Sequence, residues 1–320
     1  MRGCSQPLAL YEDNNMYDII VVGAGPAGLT AAIYARRAEK SVLVIEKSTF
    51  GGQITHSPRV ENYPGFASAS GSEIADKMFE QALGQGAEIE LDEVTGIEPC
   101  EGGYKVSTAG SAFEAKSVII AAGSKHRMLG VAREEDFVGE GVSYCAVCDG
   151  AFYKGKTVAI IGGGNTALQE ANLLADGCTK VYVVQNLAFM TGERSLLARL
   201  EARDNVEIIY SMVVEELVGD SAIEGVLIKN PETGELRALD VDGIFVAIGQ
   251  IPENEPFAGV VKLNDYGYVC AGEDCKPETE LPGIFVAGDC RTKAIRQVTT
   301  ATADGAVAAL AACRFIDSLN

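Results

Sequence analysis

Tyr17-Asp18-Ile19-Ile20-Val21-Val22-Gly23-Ala24-Gly25-Pro26-Ala27-Gly28 is the stretch on which the fold turns. Its first six residues form a short β-branched apolar run of the kind buried in a parallel sheet. The run enters a G-x-G-x-x-G turn, and Leu29-Thr30-Ala31-Ala32-Ile33-Tyr34-Ala35 continues as a helix. A second apolar strand, Ser41 to Ile45, ends in Glu46. Strand, glycine turn, helix, strand and acid in that order are the context a dinucleotide site requires. Gly23, Gly25 and Gly28, with Pro26 and Ala27 between them, let backbone N–H groups reach a pyrophosphate at a helix N-terminus. Glu46 can bond the hydroxyls of an adenosine ribose.

Further along stand Gly51-Gly52-Gln53-Ile54 and Val60-Glu61-Asn62-Tyr63-Pro64-Gly65. The strand Ser117 to Ala121 runs into small residues at Ala122, Gly123 and Ser124. Another strand, from Gly283, closes on Gly288-Asp289, and Arg296-Gln297-Val298 opens a last helix. A flavin dinucleotide is long, so a second strand end far along the chain is expected to supply an acid near its ribityl and phosphate portion. Asp289 is the candidate for that acid.

The first unit repeats. Thr157-Val158-Ala159-Ile160-Ile161 leads into Gly162-Gly163-Gly164-Asn165-Thr166-Ala167, a G-x-G-x-x-A, then a helix and the strand Lys180 to Val184. The fold class is therefore α/β, with two Rossmann-like dinucleotide-binding domains, the second inserted into the first. The expected boundaries are 16–125 and 254–320 for a discontinuous first domain and 126–253 for the insert, with 1–15 as an N-terminal extension. The step that leads from Gly23 to Glu46 leads from Gly162 to Gln185. A neutral amide replaces the ribose-reading acid. A nicotinamide nucleotide at this second site would meet Gly162, Gly164, Asn165, Thr166, Ala167 and Gln185.

The chain has 320 residues, enough for two cores, and 47% are hydrophobic. Forty-five acidic against 26 basic residues leave a net charge of −19. That field repels nucleic-acid backbones and anionic lipid heads, and no apolar run is long enough to span a bilayer. No secretory signal opens the chain. A cytoplasmic enzyme is expected. Nine cysteines are scattered, and only Cys145 and Cys148 form a C-x-x-C, within Ser143-Tyr144-Cys145-Ala146-Val147-Cys148-Asp149-Gly150. Two intervening residues let the sulfurs meet across one helical turn, and a helix start at the first cysteine stabilises thiolate. Asp149 is the adjacent carboxylate for moving protons. Half of a zinc site is the competing reading. It needs two further ligands, and Cys270 and Cys275 have four residues between them, so no metal is expected.

Taken in order, GAGPAG, GGQ, ENYPG, AAGS, CAVCDG, GGGNTA, VAIGQIPEN, GIFVAGDC and RQV resemble the low-molecular-weight thioredoxin reductases. The resemblance runs from Met16 to about Leu319. It implies FAD bound through Gly23, Gly25, Pro26, Ala27, Gly28, Glu46, Gly52, Gln53, Asn62, Ala122, Gly123, Asp289, Arg296, Gln297 and Val298. It implies Cys145 and Cys148 as redox pair, with Cys148 facing the flavin, Cys145 exchanging with a thioredoxin-like partner, and Asp149 as proton carrier. A homodimer and a rotating insert go with it. NADPH-using relatives carry His-Arg-Arg and a further Arg where this chain reads Gln185-Asn186-Leu187-Ala188-Phe189-Met190-Thr191-Gly192. No guanidinium fork stands there to hold a 2′-phosphate. The expected donor is NADH or, as in the ferredoxin-dependent flavin thioredoxin reductases, reduced ferredoxin. A hydroperoxide-reductase-type flavin component and a non-turnover flavin redox sensor are the alternative functions.

Overall fold

In the computed structural model, residues 16–57, 59–272 and 276–319 are described. The extension 1–15 and Cys275 lie outside them. The chain starts with β1 (Tyr17–Val22), α1 (Pro26–Arg37), β2 (Val42–Glu46), α2 (Gly71–Gly84) and β3 (Glu88–Leu91). The meander β4 (Val94–Cys100), β5 (Gly103–Thr108) and β6 (Ala112–Ile120) follows. β1 lies between β2 and β6, both parallel to it, with Val21 opposite Val44 and Ile119. Residues of β1 alternate between two cores. Ile19 and Val21 face the side of α1 and α2, while Ile20 and Val22 face the meander. A strand buried on both faces has no place for the polar alternation of a surface strand, hence the unbroken apolar run.

β6 pairs with different strands along its length within one mixed sheet of seven strands. Its first half pairs antiparallel with β5, Val106 opposite Phe113. Its second half pairs parallel with a late strand, Val118 opposite Ile284. After β6 the chain leaves through β7 (Ser124–His126) into β8 (Val142–Ser143), α3 (Ala146–Asp149), β9 (Thr157–Ile161), α4 (Asn165–Ala175), β10 (Lys180–Val184), α5 (Arg194–Glu201) and β11 (Val206–Ile209). An antiparallel sheet of β12 (Val213–Val218), β13 (Gly225–Lys229) and β14 (Leu236–Asp240) precedes β15 (Gly243–Val246) and β16 (Gln250–Pro252). The second parallel sheet has the order β11-β10-β9-β15-β8. β16 returns beside β7, Gln250 opposite His126 and Pro252 opposite Ser124. Outgoing and returning chain thus form one short two-stranded ribbon.

β17 (Ile284–Val286) and α6 (Val298–Asp317) complete the first sheet and its helical layer. α6 lies on α1 at a spacing that only a missing side chain permits. A Cβ on Gly305 would stand 2.1 Å from the carbonyl oxygen of Ala27. We expect Gly305→Ala to destabilise the chain by about 1–3 kcal/mol, since backbone has to move to admit the methyl. Gly84→Ala, at the end of α2 with nothing within 4 Å, is the control and should be neutral or stabilising by up to about 1 kcal/mol. Urea denaturation of both proteins checks the contrast.

Candidate active site

The first glycine turn is built by contact with β6. Gly23 has φ +104, and a Cβ there would lie 2.4 Å from the carbonyl oxygen of Ala121; one on Gly28 would lie 1.8 Å from that of Gly23. Gly25 is different. It is the N-cap of α1, no side chain caps that helix end, and nothing stands within 4 Å of where its Cβ would be. An uncapped helix start opening on free space fits a pyrophosphate. Gly51 and Gly52 close one side, Gly51 N–H donating to Ala24 O at 2.8 Å and Gly52 facing the Cα of Gly25.

Glu46 ends β2 and is buried. Its Oε2 accepts from Ala24 N–H at 2.8 Å and its Oε1 from Ser48 N–H at 3.0 Å, which hold the carboxylate at the strand end. Beside it a cleft of about 370 Å³ runs between Gly23, Glu46 and Ala122 on one side and Pro252 and Phe257 on the other. Gly123, next in the chain after Ala122, has φ +69.

Asp289 follows β17. Its Oδ1 is buried with no hydrogen-bond partner, and Lys293 Nζ stands 3.7 Å away. Burial pushes this carboxyl above its ordinary range, against the pull of Lys293 and Arg296. An orphaned carboxylate oxygen beside an open glycine turn is what a ribityl hydroxyl would satisfy. Asp304 of α6 holds the neighbourhood in place: it accepts from Gly288 N–H at 3.1 Å and from Lys293 Nζ at 2.8 Å. Arg296 lies over the Tyr268 ring at 4.3 Å. Gln297 is the N-cap of α6, in a capping box with Thr300, and Val298 is the first helical residue. Residue types and openings thus fit FAD along the whole path from Glu46 to α6.

The C-x-x-C meets this path. Cys145 is the N-cap of α3, its Sγ accepting from Cys148 N–H at 3.1 Å, and the two cysteines form a disulfide. Gln297 Nε2 is 4.0 Å from Cys145 Sγ, and Asn62 Nδ2 donates to Gln297 Oε1 at 3.3 Å. The Arg59 guanidinium lies over the Phe152 ring at 4.2 Å, a second contact between the insert and the first fold. Gln53 is exposed in the turn after Gly52. Asp149 is half-buried, and burial raises its carboxyl; Ser143 Oγ donates to its Oδ2 at 2.6 Å and opposes the shift. Sequence reasoning missed Ser143, Lys293 and Asp304. Ser143 sits two residues before the pair and carried no pattern of its own. Cys290 is fully buried beneath the path, its thiol pushed up to about 12 by burial, and is no redox partner.

The second glycine turn repeats the first. Gly162 has φ +133, and its Cβ would lie 2.4 Å from the carbonyl oxygen of Ala247. Gly164 is the uncapped N-cap of α4, Thr166 is exposed and Ala167 is buried. The surroundings differ. Gln185 is buried and folds over Gly163, its Nε2 donating to Phe189 O at 3.1 Å. Gly163 O accepts from the N–H groups of Thr191 and Gly192 at 2.9 and 3.0 Å. Asn165 Oδ1 accepts from Glu193 N–H at 2.7 Å. Lys180 is at the other end of β10, paired with Glu207 at 3.1 Å.

A profile of the family described as pyridine nucleotide-disulphide oxidoreductase matches residues 17–305. The chain is 40% identical over 310 residues to a thioredoxin reductase of Listeria monocytogenes, covering 96% of each. A crystal structure of thioredoxin reductase from Streptococcus pyogenes superposes with a TM-score of 0.90 at 38% identity, covering 96% of this chain and 100% of that one. That of Lactococcus lactis, in the FR conformation, superposes with a TM-score of 0.65 at 37% identity, covering 94% and 99%. The open glycine turn and the disulfide against Gln297 are thereby joined to a known lineage: the chain belongs to the pyridine nucleotide-disulphide oxidoreductase family, among the thioredoxin reductases of low molecular weight, and is an FAD-dependent disulfide oxidoreductase.

Proposed function

We propose that this enzyme passes electrons from a donor other than NADPH, through FAD, to the Cys145–Cys148 disulfide and on to the disulfide of a thioredoxin-like protein. The observation that carries it is the redox pair standing within 4.0 Å of Gln297 at the start of α6, beside the open turn at Gly25. FAD, when bound, supplies the two-electron chemistry between donor and disulfide. The chain's part is to hold it: Glu46 at the ribose, the α1 N-terminus at the pyrophosphate, Asp289 at the ribityl chain, Arg296, Gln297 and Val298 at the ring edge. The domain limits taken for this reading are 16–125 with 254–320, and 126–253. The enzyme works as a homodimer in this reading.

A disulfide packed against the flavin domain cannot meet a protein partner at the same time. Turnover therefore includes rotation of the insert about the β7–β16 ribbon, with Arg59–Phe152 broken and remade. The unequal superposition on two relatives of nearly equal identity and coverage supports such a movement. The donor reading rests on Gln185 to Gly192, which holds no Arg or Lys. Forgoing two charge-assisted partners at ~1.5–3 kcal/mol each loses ~3–6 kcal/mol, roughly two to four decades in affinity for NADPH. NADH, which lacks the 2′-phosphate, escapes that loss. Reduced ferredoxin remains the other donor.

Three outcomes are expected. Asp289→Ala should purify with much of its flavin missing, measured by the ratio of flavin to protein absorbance; full occupancy would displace Asp289 from the site. Cys148→Ser should keep its flavin reducible but lose disulfide reduction by at least about a hundredfold. Cys145→Ser should lose turnover equally while its Cys148 thiolate gives a long-wavelength band beside the flavin. Anaerobic stopped-flow with NADPH, NADH and reduced ferredoxin in turn should show NADPH slowest. Rapid flavin reduction by micromolar NADPH would refute the donor reading.

A further inference from the structure

Glu170 on α4 is buried, and nothing in the reading above uses it. It shares a helix face with Ala167, Ala171 and Leu174, where the packing is otherwise aliphatic. Its Oε2 is buried without a hydrogen-bond partner. α4 packs against α3, which starts at Cys145 and carries Ala146, Cys148 and Asp149, and the Ala146 N–H and the Asp149 carboxylate both act on the Glu170 carboxyl. An unpartnered buried carboxylate is costly as an anion and tolerable as a neutral acid. Burial, and after it the charge of Asp149, push the Glu170 carboxyl up to about 7, with the Ala146 N–H opposing.

The other elements against α4 leave this balance alone. Tyr153, in the turn after α3, is neutral, its phenol pushed up to about 12 by burial and then by Asp149. β9 and the buried face of β10 offer aliphatic side chains, and Lys180 at the edge is paired with Glu207. Arg194, Arg199 and Glu201 of α5 are not among the groups that shift Glu170.

We propose that Glu170 is a positioning residue for the redox pair, holding beneath α3 one of the two protons that accompany reduction of the Cys145–Cys148 disulfide. This rests on the reading of that pair as redox-active. With a dithiol as reductant, its two S–H bonds break and its sulfurs join in a new S–S bond. The Cys145–Cys148 bond takes the two electrons and breaks. One proton goes to a cysteine sulfur, the other sulfur stays thiolate, and the second proton goes to Glu170. Reoxidation by a protein disulfide sends both protons out on the product thiols. A neutral Glu170 leaves the thiolate unrepelled and keeps a proton near Asp149 for the leaving sulfur.

The test compares the holoenzyme and Glu170→Gln, both reduced by dithiothreitol, by iodoacetamide alkylation counted at Cys145 and Cys148 by peptide mass spectrometry. At about pH 8 the variant should alkylate about tenfold faster, and at about pH 6, where the native carboxyl is already neutral, within about twofold. Thermal unfolding gives a second reading. Because the folded-state value lies above the ordinary 4.5, native stability falls as pH rises from 4.5 to about 7, and the amide does not follow. The advantage of the variant should therefore grow over that window and stay level above it. Equal alkylation at both pH values, or a difference that is the same at both, would overturn the proposal. Should Glu170→Gln not fold, Glu170→Met takes its place in the same measurements. If dithiothreitol opens the Cys145–Cys148 disulfide in neither protein, the redox reading itself falls, and the proposal with it.

Discussion

Everything at the candidate active site depends on a backbone contact with no room for a side chain. At Gly23 the chain turns from β1 into α1 so close to the end of β6 that a methyl group would collide with the Ala121 carbonyl. That closeness brings the α1 N-terminus, the end of β2 and the end of β6 to one edge of the sheet. α6, pressed on α1 through Gly305, brings a second helix N-terminus to the same place. Glycine is required here by geometry, and the cofactor path is the space it leaves.

The same device appears twice. Gly162 makes with Ala247 the contact that Gly23 makes with Ala121, at the same 2.4 Å. Gly25 and its counterpart Gly164 both leave the helix start uncapped and open, the nearest atom to a Cβ on Gly164 being Thr191 Oγ1 at 3.9 Å. A glycine turn is needed to join strand to helix in this fold whether or not it holds a nucleotide. The repeat therefore secures the architecture, and the two copies part at the end of the second strand, Glu46 in one and Gln185 in the other.

Charge is distributed against the average. A chain of net −19 keeps Arg291 buried and Lys293 half-buried among Asp289 and Asp304, where each carboxylate needs a cation within reach. Such a cluster is costly to break, because removing one partner strands the other without water. Its place under the path at Asp289 makes it a support for that carboxylate rather than a surface ornament.

Much of this was legible in the chain itself. A continuous apolar run followed by G-x-G-x-x-G can be little else than a buried strand entering a helix, and its recurrence at Thr157 announced the second fold. C-x-x-C spacing announced the disulfide, because two residues are the span of one helical turn. The antiparallel pairings, β4 with β5 and β12 to β14, carry no comparable signature, since no glycine motif marks their strands. Nor does sequence place Gln297 against Cys145, a contact made across the two folds, or against Asn62, far from it in the chain. Glu170 stood at a core position in the helical pattern, yet only packing of α3 on α4 makes it a buried acid with an orphaned oxygen under the helix that carries the redox pair. Local geometry is written in neighbouring residues; burial and the meeting of distant groups exist only once the chain has closed on itself.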